Sequence, residues 1–168
     1  MAYGTLREGN ASDRPNSASG GRVWPTILAF VLGTIAVGGL IGATNAPDEW
    51  YRALAKPVWN PPDWVFGPVW TVLYGMVGYA GYRAWRVGGG LFGVWVVQIA
   101  LNYLWTPLFF TARSLPLASL EIAVLLAGVL AFMALAWTRD RPSFWLFVPY
   151  AAWVGFASLL TWTIWSMN

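Results

Sequence analysis

VWPTILAFVLGTIAVGGLIGATNAP, residues 23–47, runs without a single Asp, Glu, Lys or Arg. A hydrocarbon core of about 30 Å is crossed by roughly 20 apolar helical residues, so this run is long enough to span a bilayer. Four more charge-free runs follow, at 64–82, 87–112, 122–138 and 142–168. Backbone groups in lipid must find their hydrogen bonds inside their own segment, which selects helices over the weakly alternating strands of a barrel. The expectation is an all-α integral membrane protein, a five-transmembrane-helix bundle with helices at about 25–43, 64–85, 91–111, 116–137 and 143–165.

Composition agrees. The chain is 58% hydrophobic and 10% charged, against about 25% charged in a typical soluble domain. With neither cysteine nor histidine, it has no disulfide, no thiolate nucleophile, no sulfur-bound metal and no imidazole proton shuttle. No metal site and no required cofactor are expected. The basic residues behind the net charge of +3 are scattered over the tail and loops, so they read as topology signals and not as a nucleic-acid surface. Five crossings put Arg7, Arg14, Arg22, Arg83, Arg86, Arg139 and Arg141 on one side and Arg52, Lys56 and Arg113 on the other. In a plasma membrane that bias places the N-terminus in the cytoplasm. Residues 1–22 are polar, lack an apolar run and read as a disordered tail without the core of a signal peptide.

Between the first two spans lies loop 44–63, continuous with WYRALAKPVWNPPDWVFGPVW at 50–70, which holds four tryptophans and four prolines. Asp48 to Lys56 suit a short interfacial helix, after which Pro57, Pro61 and Pro62 impose extended backbone. Gly88 to Gly90 form a turn, and Pro107 is placed to kink the third span. Gly38 and Gly42 are either a small-residue contact between helices or loosely packed glycines.

Three aromatic stripes stand out. Phe66, Trp70 and Tyr74 recur every four residues on the second span, and Tyr150, Trp153 and Ala157 share a face of the fifth. Gln98, Asn102, Trp105 and Phe109 share a face of the third; amides are expensive against lipid tails, so this face looks inward. A single stripe more often serves packing or an interfacial belt. Three of them, with Trp70, Trp105 and Trp153 and a pair of amides, also match a site for a flat, mostly apolar molecule. Trp50, Trp59 and Trp64 equally suit headgroup anchoring. Glu121 is the one carboxylate expected within a span; the preferred reading sets it near the interface, snorkelling or paired with Arg113, and the other is proton coupling. Haem ligation by His or Cys is excluded, so a tetrapyrrole would be held by stacking and burial. No hydrolytic constellation or phosphate loop is visible.

These residues resemble the translocator protein family, also known as tryptophan-rich sensory proteins or peripheral-type benzodiazepine receptors. The resemblance rests on Trp50-Tyr51, Lys56-Pro57-x-Trp59-x-Pro61-Pro62, Trp64-Val65-Phe66 and Trp70-x-x-Leu73-Tyr74. It continues through Gln98-x-x-x-Asn102-x-x-Trp105-x-Pro107-x-Phe109-Phe110, Pro149-Tyr150-x-x-Trp153-x-x-x-Ala157 and Trp165-x-x-Asn168. It covers about residues 25 to 168. It implies a five-helix membrane protein, commonly a homodimer, whose first loop lids a pocket for porphyrins such as protoporphyrin IX or haem, for benzodiazepine-type ligands and, in some members, for sterols. The pocket positions it carries over are Trp50, Tyr51, Pro61, Phe66, Trp70, Tyr74, Asn102, Trp153 and Ala157. The residue pattern itself adds Gln98, Trp105 and Phe109. Some bacterial members are associated with light-dependent breakdown of protoporphyrin IX, which would assign Trp70 and Trp153 as the photo-oxidative pair.

The C-terminal run Leu160 to Ser166 lacks the tyrosine and basic residue of the family's sterol pattern, so sterol handling is not implied. The functional expectation is a porphyrin sensor, scavenger or regulator, with a transporter of planar apolar molecules and a light-dependent degrading activity as alternatives. The loop reads as a preformed lid: prolines fix its backbone, and tryptophans offer large contact area at small entropic loss.

Overall fold

The computed structural model describes residues 23–168; the expected disordered tail lies outside the described residues. The elements are α1 (Val23–Thr44), α2 (Glu49–Ala53), α3 (Asp63–Val87), α4 (Gly89–Thr106), a π-helical turn (Pro107–Thr111), α5 (Leu115–Arg139) and α6 (Arg141–Met167). Among the described residues there is no strand. Each long helix contains most or all of its charge-free run; α3 continues past its run through Arg83 and Arg86, and α5 starts at Leu115, before Glu121 and the run at 122–138.

Four of the five long helices, α1, α4 with its π turn, α5 and α6, are long and apolar enough to cross a membrane. The fifth, α3, has the length but not the apolarity. Gly67, Gly75, Gly78 and Gly81 alternate along it with Trp64, Trp70, Tyr74, Tyr79 and Tyr82, and glycine and amphipathic rings contribute little hydropathy. This qualifies the expected five spans: five long helices form the bundle, and composition alone marks four as crossings.

Gly88 (φ 75°) and Gly89 (φ 60°) make the turn between α3 and α4 in the left-handed region that glycine enters without strain. Pro107 widens the helix, since it has no N–H to donate and its ring crowds the preceding turn. The chain passes into five π-helical residues, closed by Ala112 N–H to the Pro107 carbonyl at 2.8 Å. The expected kink is this change of winding, and it buries Phe109 while carrying Phe110 round beside it.

The most extensive packing lies between α5 and α6, where Phe132 and Phe147 stack at 4.0 Å between centroids and Ala118, Val129 and Ala136 have no exposed surface. At the α5–α6 turn Asp140 accepts two hydrogen bonds from Arg83, at 2.9 and 2.7 Å, and one from Ser143. The Arg83 guanidinium holds the Asp140 carboxyl below its ordinary value.

Loop 44–63 is tied down at three places. Asp48 caps α2 by accepting from Tyr51 N–H at 3.1 Å and takes Arg113 at 2.7 Å. Asn168 exchanges two bonds with the Ala55 backbone, at 3.0 and 3.1 Å. The Thr111 hydroxyl bonds Asn45. The Tyr51 N–H and then Arg113 hold the Asp48 carboxyl below its usual range.

Candidate functional site

Beneath this loop lies a cavity of about 440 Å³, walled by α1, α2, α3, the α4–π junction and α6. From α3 come Phe66, Trp70 and Tyr74, the three residues one turn apart. Trp70 stacks on Tyr74 at 5.1 Å with 27° between planes, and meets Tyr150 edge-on at 6.3 Å. From the α4–π junction Trp105 stacks on Phe109 at 5.1 Å and 28°. The cavity thus has two stacked pairs, floored by Ala157, Leu160, Thr161 and Ile164 of α6 and covered by Tyr51 of α2.

The remaining wall is α1, through Ile35, Gly38, Gly39, Gly42 and Ala43. Gly38 packs so closely that a Cβ there would lie 2.1 Å from the Tyr74 ring, whereas a Cβ on Gly39, Gly42 or Gly67 would meet nothing within 4 Å. Since Gly39, Gly42, Gly67 and Thr71 are all exposed, the cavity opens sideways between α1 and α3. The possible Gly38/Gly42 contact pair is therefore split: Gly38 packs and Gly42 faces the opening.

Of the residues the sequence singled out, the cavity brings together Tyr51, Phe66, Trp70, Tyr74, Trp105, Phe109 and Ala157. Gln98 and Asn102 are buried as their amides require, but behind the wall. Tyr74 donates to Asn102 Oδ1 at 2.8 Å and Tyr150 to Gln98 Oε1 at 3.0 Å, so the amides orient the tyrosines. Trp153 packs edge-on against Phe66 at 5.8 Å and stands behind that ring, outside the lining. Trp50 packs against Phe109 at 6.0 Å with the Arg113 guanidinium 5.9 Å from its ring, and Pro61 is half-buried outside the lining. Trp64 is 75% exposed, as suits an anchor.

Sequence reasoning missed α1 as a wall, together with Asn45, Asp63, Thr71 and Thr106. The run of small residues Gly38, Gly39, Gly42 and Ala43 was the available signal, since a stretch without side-chain bulk makes room as readily as it makes contact. The preferred reading of Glu121 is overturned. Arg113, at φ 51° in the turn before α5, pairs with Asp48, while Glu121 is 8% exposed with both carboxylate oxygens unpartnered. Among the described residues no cluster of side chains could hold a metal ion.

Apolar helices of membrane-crossing length gathered around an aromatic-lined cavity define a helical membrane protein. The TspO/MBR family model matches residues 26–166, and the chain belongs to that family. It is 36% identical over 156 residues to the translocator protein of Bos taurus, a match covering 86% of this chain and 91% of the relative. To the tryptophan-rich protein TspO of Chlorobaculum tepidum it is 40% identical over 152 residues, covering 84% and 95%. Protein CrtK of Rhodobacter capsulatus is 37% identical over 152 residues, covering 85% and 93%. Family and helices together make this an integral, multi-pass membrane protein.

Proposed function

We propose that this protein binds a tetrapyrrole, protoporphyrin IX or haem, in the cavity under loop 44–63 and acts as a sensor, scavenger or regulator of porphyrin levels. One observation carries the reading: two stacked aromatic pairs, Trp70 with Tyr74 and Trp105 with Phe109, wall one cavity of about 440 Å³. That volume falls within the roughly 300–1,000 Å³ of small-molecule sites, and a flat macrocycle gains contact area against rings while needing few polar partners. In this reading α3 crosses as the fifth span, its 25 residues reaching roughly 37 Å at 1.5 Å each. The homodimer implied by the family resemblance belongs to the same proposal and is checked by cross-linking in native membranes.

Titration of protoporphyrin IX into the detergent-solubilised protein tests it. The expected result is saturable quenching of tryptophan fluorescence, with Trp70→Ala weakening affinity by roughly tenfold. Absence of saturable quenching overturns the reading.

The buried, unpartnered carboxylate of Glu121 favours a second reading, proton-coupled transport of porphyrins or other planar apolar molecules. Reconstituted flux that is abolished in Glu121→Gln supports transport; binding without flux rules it out. Light-dependent degradation is the third. Trp70 would face the pigment directly, and Trp153 only through Phe66. A new chromophore formed under illumination, and lost in Trp70→Phe, supports that activity.

A further inference from the structure

Asp63, in the first turn of α3, is the only charged side chain among the described residues that line the cavity. It is in no ion pair: among the described residues the pairs are Arg83 with Asp140 and Arg113 with Asp48. The other cations on the loop side are Lys56 and Arg52. Lys56 donates to the Arg52 and Leu54 carbonyls at 3.2 Å and sits 4.5 Å from the Tyr51 ring centre, and Arg52 does not line the cavity. The charge of Asp63 is felt across the mouth: after burial, it is the second cause that pushes the Tyr51 phenol up from its ordinary value.

The polar side chains of the wall are largely turned to their own helices. Thr71 bonds the Gly67 carbonyl at 2.9 Å, Thr161 the Ala157 carbonyl at 2.8 Å and Asn45 the Ile41 carbonyl at 2.8 Å. The indole N–H of Trp105 is buried without a partner. The lining therefore offers a ligand one anion at the mouth and no base. A carboxylate on the ligand would leave water for an apolar chamber beside a like charge, which is unfavourable on both counts.

We infer that the cavity selects planar ligands that are uncharged or cationic at the end facing Asp63, and discriminates against free carboxylates there. Within the tetrapyrrole reading, on which this form of the inference rests, an esterified porphyrin is a better ligand than the corresponding diacid. Asp63 is then a specificity residue acting by repulsion.

The test is to titrate protoporphyrin IX and its dimethyl ester into the full chain, wild type and Asp63→Asn. Taking the ratio of the two affinities in each protein, then comparing proteins, cancels partition into the micelle. Asp63→Asn is expected to tighten the diacid by roughly three- to fivefold, the size of an exposed charge interaction, and to leave the ester unchanged. Asp63→Glu should retain the wild-type ratio. Equal ratios in wild type and Asp63→Asn, or a diacid weakened by the substitution, overturn the inference. A second pair of flat probes, cationic aminoacridine and anionic anthracene carboxylate, separates the two claims. If neither porphyrin binds but wild type prefers the cation and Asp63→Asn loses that preference, the tetrapyrrole reading fails and selection by Asp63 stands. If this pair shows no dependence on Asp63, selection fails whatever the porphyrins do.

Discussion

At the end of the α1–α3 pair nearer Val23, a Cβ on Gly78 would lie 2.4 Å from Thr34 Oγ1 and 2.7 Å from the Phe30 carbonyl. At the end nearer loop 44–63, Gly39, Gly42 and Gly67 have nothing within 4 Å of theirs. The tight end is filled by rings: Phe30 lies 5.7 Å from Trp95 and 6.3 Å from Tyr82, and the Trp95 N–H reaches the Val77 carbonyl at 2.9 Å. The open end has rings of the same kinds, but they line a cavity, and the Trp105 N–H has no partner. Glycines and aromatics thus serve both to close two helices and to line an open space beside them. What differs is whether the opposite helix supplies atoms at that level.

The sharpest way to break this contrast is Gly78→Ala. Its new methyl would meet backbone atoms, which cannot rotate away, so detergent unfolding should show a loss of about 3 kcal/mol. Wild-type stability would mean that the helices separate easily there. A smaller effect comes from the bond that holds the same end of α3 to the α5–α6 turn. Since the Asp140 carboxyl is held below its ordinary value of 3.8, its contribution is complete above that value and is lost as pH falls through the folded one. The thermal midpoint should therefore fall on acidification below about pH 4. Asp140→Asn should flatten that fall and cost about 1–2 kcal/mol near neutrality. A variant as acid-sensitive as wild type would move the effect to another carboxyl. Smallest is Gly42→Ala at the open end, expected to stay within about 1 kcal/mol of wild type by the same unfolding measurement. A loss matching that of Gly78→Ala would erase the distinction between the two ends.

Much of the architecture was legible because lipid imposes a length and a polarity on anything that crosses it. The charge-free runs locate every long helix, the prolines locate the loop and the π turn, and the buried amides Gln98 and Asn102 face inward as their solvation requires. The cavity was only partly legible. Phe66, Trp70, Tyr74, Trp105 and Phe109 all reach it, while Trp153, on an equally regular stripe, is screened by Phe66. Glu121 lacks the expected partner because Arg113 has another carboxylate within reach, that of Asp48.

From the sequence alone came the helical membrane class, the loop and the aromatic faces, because these depend on how many apolar residues run together and on a fixed 3.6-residue period. Tertiary structure alone decided which faces line a space and which fill one. That depends on what faces each position across the helix pair: a Cβ on Gly78 of α3 would meet Thr34 and the Phe30 carbonyl of α1, whereas one on Gly42 of α1 would meet nothing within 4 Å.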